Sequence, residues 1–237
     1  MNTLIIDTST SYELVAAGVN GHVADMGHNA GISHSITLFD SIENALQSLG
    51  IKIQSIELLG VGIGPGSFTG IRIAVTTARM LAQVLSIPLV GIHSPMLYAA
   101  SARVPAEAVI IVAFDAKKER VFGAAYRADA TTTLPGEIIE PGDYHVEELL
   151  NAVPAGCPLY TMGNGIEKFM ERGLIARPDL IHLPGFTPSG AASIRLLESI
   201  YAAHPNQYDD YSRVVPVYAR KSDAEIVKEL KKKKRET

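Results

Sequence analysis

The segment GPGSFTG, residues 64–70, stands between an apolar run and an amphipathic stretch. The run from Leu58 to Ile63 has the length of a buried strand, and apolar residues recur at helical spacing from Ile71 to Leu85. The segment therefore predicts a turn from a strand into a helix, where free backbone N–H groups and the helix dipole favour an anion. A second interpretation stays open, in which the glycines only let the strand and the helix pack closely. The segment lacks the Gly-Lys-Ser/Thr sequence of a Walker loop and the flanking glycines of a nucleophile elbow.

Strand and helix patterns extend on both sides of this segment and restart once along the chain. Before it, an apolar run ends at Asp7, Asn20-Gly21 favours a type I′ hairpin turn, and residues 33–49 show helical spacing. Near residue 104 the pattern restarts, and a second buried run again ends in an aspartate, Asp115. This weak duplication predicts an α/β fold of two lobes with mixed sheets and helices packed on them. We expect lobes at residues 1–103 and 104–222, a final helix (about 189–203) able to pack back on the first lobe, and a disordered basic tail at 223–237.

Composition and charge exclude several classes of protein. The 237 residues include one cysteine and no apolar run near 18 residues, which argues against a disulfide framework, a four-cysteine metal site and a membrane span. The N-terminus lacks the basic region of a signal peptide, so we expect a reducing, cytoplasmic location. Six of the 21 Lys and Arg residues fall within residues 228–237, and the rest of the chain is acidic. We therefore expect any contact with tRNA to be indirect.

Two predicted strand ends carry candidate phosphate-site residues. Asp7, Thr8 and Ser9 offer a carboxylate and hydroxyls that could hold metal-bound phosphate, and Asp115 takes the matching position in the second half. A turn-forming role for each aspartate is the competing interpretation. The seven histidines include no pair at i+3 or i+4, and Cys157 has no basic neighbour, so we predict no bound transition metal and an inert thiol.

Six short stretches together resemble the bacterial TsaB (YeaZ) proteins, over about residues 3–222. They are LIIDTST at 4–10, GPGSFTGIRI at 64–73, IPLVG at 87–91, DAKK at 115–118, GNG at 163–165 and PVYAR at 216–220. The resemblance implies the duplicated fold of actin, sugar kinases and Hsp70 (the ASKHA fold), with two ribonuclease-H-like lobes. It also implies a role in making threonylcarbamoyladenosine next to the tRNA anticodon. That role is the one of a non-catalytic partner of the paralogue TsaD, with the small ATPase TsaE in the same complex.

The resemblance also implies that the residues used for chemistry in related proteins are altered here. TsaD proteins carry a His-x-x-x-His metal dyad, and aligning the segments puts Ser94 and Tyr98 at the dyad positions. This implies a pseudo-enzyme without metal or cofactor. Gly163 and Gly165 then form only a reduced version of the loop that binds adenosine in the active relatives. The alternative is an active small-molecule kinase or ATPase of the same fold, with Asp7 and Asp115 placed around Mg-ATP.

The two helices predicted in the first lobe supply a candidate partner surface. We expect them to lie side by side on one face of the sheet and to leave apolar residues, including Val84, outward. The competing interpretation packs Phe39 and Met80 under a loop of their own chain. The resemblance implies that TsaB and TsaD pair through these helices, and free TsaB could use the same surface to form a homodimer. The predicted interface residues are Leu38, Phe39, Arg72, Ala74, Thr76, Arg79, Met80 and Gln83.

Overall fold

Two β-sheets form the centre of the computed structural model, which describes residues 1–31, 34–129, 134–153, 156–173, 175 and 177–220. The first sheet consists of β1 (Thr3–Asp7), β2 (Tyr12–Val19), β3 (His22–Asp25), β4 (His28–Asn29), β5 (Leu58–Gly62) and β6 (Leu89–Ile92). The second consists of β7 (Val109–Asp115), β8 (Val121–Arg127), β9 (Gly136–Tyr144), β10 (Leu159–Met162) and β11 (Leu180–Leu183). The helices are α1 (His34–Ser48), α2 (Phe68–Leu85), α3 (Ser94–Ser101), α4 (Val146–Asn151), α5 (Asn164–Glu171) and α6 (Gly190–Ala203).

The two sheets share one topology. The strand order is β3-β2-β1-β5-β6 in the first sheet, where β4 also pairs with β2, and β9-β8-β7-β10-β11 in the second. In each sheet the central strand, β1 or β7, pairs antiparallel with the next strand of the chain. On its other side it pairs parallel with the strand that follows a helix, β5 or β10. The duplicated α/β fold predicted from the restart near residue 104 is therefore confirmed.

Successive residues of β1 face two different cores. Leu4 and Ile6 pack with α1 and α2 on one face of the first sheet, whereas Ile5 packs with α6 on the other. Helix α6 follows the second sheet in the chain but lies against the first, where Gly60 leaves room for it. A Cβ atom at this glycine would lie 2.9 Å from the side chain of Leu197. The first sheet is therefore covered on both faces, as its nearly continuous apolar strands require.

Helix α3 contacts both sheets. Leu97 packs with α6 against the first sheet, while the next residue, Tyr98, packs with strands β7 and β8 of the second. The helix thus contributes to both lobes at once. Among the helices of the described residues, none combines the length and the apolar character needed to cross a lipid bilayer.

Comparison with the sequence patterns shows agreement at the hairpin and the helices, and two strands that the patterns do not indicate. Asn20 and Gly21 have φ values of 50° and 82°, as a type I′ turn requires. Strands β9 and β11 are the edges of the second sheet. Strand β9 contains Pro141 and shifts its register against β8, so it has no regular alternation to detect. The tail at 223–237, which was predicted to be disordered, lies outside the described residues.

Candidate functional site

The glycine segment folds onto the turn that follows β1. The N–H of Ser67 donates to the carbonyl of Ser9 at 2.6 Å, and the Thr8 hydroxyl donates to the carbonyl of Gly70, also at 2.6 Å. A Cβ atom at residue 70 would overlap the Thr8 carbonyl oxygen, and one at Gly66 would overlap that of Ser9. Glycine is required because two backbone segments meet here without space for a side chain. These contacts support the packing interpretation of the segment.

Asp7, at the end of β1, is buried by the same arrangement. Its carboxylate accepts a hydrogen bond from the N–H of Ser9 at 2.7 Å and another from the Ser94 hydroxyl. It also lies against Gly62, where a Cβ atom would overlap it. Burial raises the pKa of the Asp7 carboxyl, although these hydrogen bonds oppose the effect. Enclosed by its own chain and 3% exposed, this carboxylate offers little surface to a metal-bound phosphate.

Ser94 and Tyr98 occupy the two positions at which the resemblance places metal ligands in TsaD proteins. Ser94 is fully buried and accepts a hydrogen bond from the N–H of Gly64 at 3.0 Å. The Tyr98 hydroxyl lies 3.1 Å from the Thr10 hydroxyl, and its ring meets the Phe114 ring edge-on with centroids 4.9 Å apart. The two hydroxyls thus link α3 to the glycine segment and to the turn after β1. Within the ranges that the structure describes, no three His, Cys, Asp or Glu side chains are grouped to hold a metal ion.

Asp115, at the end of β7, is held by two lysines. Its carboxylate accepts hydrogen bonds from the backbone N–H and the ammonium group of Lys117, at 3.0 and 3.1 Å, and from Lys168 at 3.3 Å. Burial raises the pKa of Asp115, but the lysine contacts outweigh it, so the pKa lies below its ordinary value. Gly163 and Gly165 lie against the backbone of β7, at distances that leave no room for a Cβ atom. The structure therefore brings Asp115, Gly163 and Gly165 together at one end of the second sheet.

A buried polar cluster links β2 to α1. Glu13 is fully buried, and its carboxylate accepts hydrogen bonds from the Thr37 and Ser41 hydroxyls at 2.8 and 2.7 Å. The Nδ1 atom of His34 lies 3.3 Å from the same carboxylate, and its Nε2 atom lies 2.8 Å from the carbonyl oxygen of Thr10. The sequence patterns do not identify Glu13. The available signal is a lone glutamate inside an apolar strand, followed by three polar residues on one helix face.

The outward faces of α1 and α2 carry exposed apolar side chains. Phe39 and Met80 are 53% and 46% exposed, so the interpretation that packs them under a loop is wrong. The prediction that Leu38 and Ala74 face outward is also wrong, because they are 1% and 0% exposed and belong to the core. Helical spacing explains why these two residues are buried. Leu38 lies four residues before Ile42, and Ala74 lies four residues before Ala78, so each is on the buried face of its helix. We name as the α1–α2 patch the exposed side chains Ile36, Phe39, Met80 and Val84.

The repeated sheet topology and the two strand–aspartate turns define a two-lobed protein of the actin, sugar kinase and Hsp70 fold. Residues 28–190 match the family model described as "TsaD: tRNA N6-adenosine threonylcarbamoyltransferase". Because the match covers more than half of the chain, the chain belongs to this family.

Curated relatives and solved structures agree with the resemblance stated from the sequence. A protein of Escherichia coli (strain K12), "tRNA threonylcarbamoyladenosine biosynthesis protein TsaB", is 28% identical over 193 residues, 78% of this chain and 82% of the relative. A Bacillus subtilis (strain 168) protein of the same name is 33% identical over 95 residues, 40% of this chain and 41% of the relative. The structure "YeaZ from Pseudomonas aeruginosa" has a TM-score of 0.78 at 23% identity and covers 92% of this chain and 99% of its own. The resemblance to the TsaB (YeaZ) proteins is thereby confirmed.

Proposed function

We propose that the chain is a non-catalytic partner of TsaD, required for threonylcarbamoyl transfer to the tRNA adenosine next to the anticodon. The observation that carries the proposal is the α1–α2 patch. Ile36 and Val84 are 74% and 76% exposed, and together with Phe39 and Met80 they place large apolar side chains on the outer surface of two neighbouring helices. Exposed apolar groups of this kind on adjacent elements favour a protein–protein interface.

Polar residues of α2 complete the proposed interface. Arg72, Thr76 and Gln83 are exposed, and Arg79 is half-buried. They recur at helical spacing, so they form a second stripe along the same helix as Met80 and Val84. An apolar centre with a polar rim that contains arginine is the usual composition of such interfaces.

The hydrogen bonds within the chain at the candidate site support the non-catalytic part of the proposal. Ser94 and Tyr98 have intramolecular partners in place of a metal, and the carboxylates of Asp7 and Asp115 are engaged by groups of the chain itself. A kinase or ATPase would instead need these two carboxylates open to Mg-ATP. Tight ATP binding with turnover by the isolated chain would favour that alternative.

The proposal extends to assembly and domain organisation. We propose that the free chain forms a two-fold homodimer through the α1–α2 patch, in competition with TsaD, and that TsaE and tRNA are reached through the complex, in the cytoplasm. We also propose that residues 1–103 form the lobe that carries the partner helices and residues 104–222 the second lobe. The part of the second range that forms α6 packs on the first sheet.

The test is to place a charge in the patch and to measure association with TsaD of the same organism. We expect Met80→Glu to weaken binding at least tenfold, about 1.4 kcal/mol, in sedimentation or calorimetry. Homodimer formation should weaken in parallel, because the same side chain would be desolvated in both complexes.

A matched control is available in the second lobe. Ile181 on β11 is 47% exposed, close to the 46% of Met80. Ile181→Glu should therefore bind TsaD as the unchanged chain does. If a folded Met80→Glu variant binds TsaD with unchanged affinity, the proposed interface is wrong.

A further inference from the structure

The C-terminal segment, residues 208–220, returns along the first sheet after α6. The N–H of Leu89 on β6 donates to the carbonyl of Tyr208 at 3.0 Å, and the N–H of Val217 donates to the carbonyl of Ile63 at 2.8 Å. Val214 packs on the core between the sheet and the helices α1 and α2. We name this segment the strap. It runs from the edge strand of the sheet to the point where the glycine segment leaves β5.

Near its end, the strap packs on the first turn of α2 through Tyr218. The rings of Phe68 and Tyr218 lie with centroids 4.7 Å apart, and the guanidinium carbon of Arg72 lies 3.8 Å from the centroid of the Phe68 ring. The Nε–H of Arg72 donates to the Tyr218 hydroxyl at 2.7 Å. Arginine is thus held by stacking and by a hydrogen bond, which restricts a long side chain that is otherwise free to rotate.

The strap also contacts the glycine segment and the second lobe. A Cβ atom at Gly64 would lie 3.0 Å from the carbonyl oxygen of Val217, so the glycine lets the strap approach. Two residues beyond Tyr218, the guanidinium of Arg220 lies 5.6 Å from the ring centroid of Phe122 on β8. The motif PVYAR, residues 216–220, therefore places one aromatic residue on α2 and one arginine on the other lobe.

We infer that the strap positions Arg72 for partner binding, with Tyr218 as the positioning residue. The inference rests on the proposed function, because Arg72 stands on the stripe of α2 assigned to the interface. Tyr218 is 40% exposed, so the cluster lies at the surface, where a partner can reach the arginine. An arginine already fixed in direction loses less conformational freedom on binding, and Arg and Tyr are frequent among the residues that dominate interface energies.

Two substitutions at Tyr218 separate the ring from the hydroxyl. Tyr218→Phe keeps the stack on Phe68 and removes the hydrogen bond, and Tyr218→Ala removes both. We expect TsaD affinity to fall about threefold and about tenfold respectively, within the range of single interface residues. Amide hydrogen exchange over residues 64–72 of the free chain should become faster in the Ala variant. Val215→Ala is the control, because Val215 lies on the same strap and is 52% exposed.

A double-mutant cycle decides whether Tyr218 acts through Arg72. If it does, adding Tyr218→Ala to Arg72→Ala causes no further loss of affinity, whereas additive losses overturn the inference. Unchanged affinity and exchange in a folded Tyr218→Ala variant overturn it as well. Should Tyr218→Ala fail to fold, a cycle of Tyr218→Phe with Arg72→Ala gives the same comparison, because Tyr218→Phe removes the hydrogen bond and keeps the ring. Failure of the proposed function is recognised separately, because Met80→Glu would then leave TsaD binding intact.

Discussion

The imidazole of His34 lies 3.3 Å from the carboxylate of Glu13, and both side chains are buried. The second ring nitrogen of His34 faces the carbonyl oxygen of Thr10 at 2.8 Å, so both nitrogens face acceptors. A neutral imidazole has only one N–H to donate, whereas the imidazolium has two. The cluster is therefore complete only when His34 is protonated, and it then ties the first turn of α1 to β2 and to the turn after β1.

Protonation of His34 should make stability depend on pH. The hydrogen bond with Glu13 raises the pKa of His34 above its ordinary 6.5, against the effect of burial. The stabilisation is then fully present below pH 6.5 and is lost as the pH rises through the folded-state pKa. His28 and Asp7 are the other titratable groups near the cluster. We expect NMR titration to show a protonated His34 at pH 6.5, and the free energy of unfolding to fall above it. His34→Gln should flatten this dependence and His22→Gln, an exposed control, should keep it.

Removing the carboxylate of Glu13 should be costly. Burial raises the pKa of Glu13, but the hydrogen bonds from His34, Ser41 and Thr37 outweigh it and lower the pKa, so the group is ionised at neutral pH. Glu13→Ala leaves a buried histidine and two hydroxyls without their acceptor, and we expect a loss of roughly 3 kcal/mol in urea unfolding. Glu43→Ala on the exposed side of α1 should cost less than about 0.5 kcal/mol. Equal effects of the two substitutions would contradict a buried ionic cluster.

Gly70→Ala tests how closely the glycine segment packs on the turn after β1. The test is whether the substitution raises or lowers the free energy of unfolding. Alanine favours a helix over glycine by roughly 1 kcal/mol, so a loosely packed site would be stabilised. Because the added Cβ would overlap the Thr8 carbonyl oxygen, we expect a loss of about 1–3 kcal/mol instead. Gly136→Ala is the control, since its Cβ would meet nothing nearer than 3.8 Å. Thermal unfolding of the two variants gives the comparison.

The burial of Ala74 makes a further prediction about α2. Ala74→Glu would place a carboxylate in the core between the helix and the first sheet, where it has no partner. We expect a loss of several kcal/mol, or failure to fold, whereas Met80→Glu at the surface should stay within about 0.5 kcal/mol of the unchanged chain. Chemical unfolding of both variants checks the orientation of the helix. Similar stabilities would mean that the helix is rotated from the position described.

Local patterns predicted the fold where one element determines its own conformation. The Asn20-Gly21 turn follows from residue type, and the helix predicted from Ile71 to Leu85 follows from the spacing of its apolar residues. The strand β9 could not be predicted in this way, because its pairing is imposed by β8 and its own sequence has an interrupting proline. The prediction that Leu38 and Ala74 face outward was wrong because the buried apolar face of each helix is wider than expected. It includes Leu38 on α1 and Ala74 on α2, each four residues before another buried residue, Ile42 or Ala78.

The candidate site depends on contacts between distant parts of the chain. Glu13 and His34 are 21 residues apart, and Arg72 and Tyr218 are 146 apart. The periodicity of apolar residues cannot predict such pairs, because it describes one helix or strand at a time. The aspartates at the strand ends were identified because they repeat, but their partners, Ser94 and Lys168, are supplied by tertiary packing.

Two consecutive residues of helix α3 pack in different hydrophobic cores. Leu97 packs against the first sheet and Tyr98 against the second. A hinge between the lobes would have to bend or detach this helix, because neither side chain can leave its core without exposing apolar surface to water. The molecule should therefore unfold in one cooperative transition and present its surfaces as one rigid body. A partner that binds the first lobe would then also fix the orientation of the second lobe.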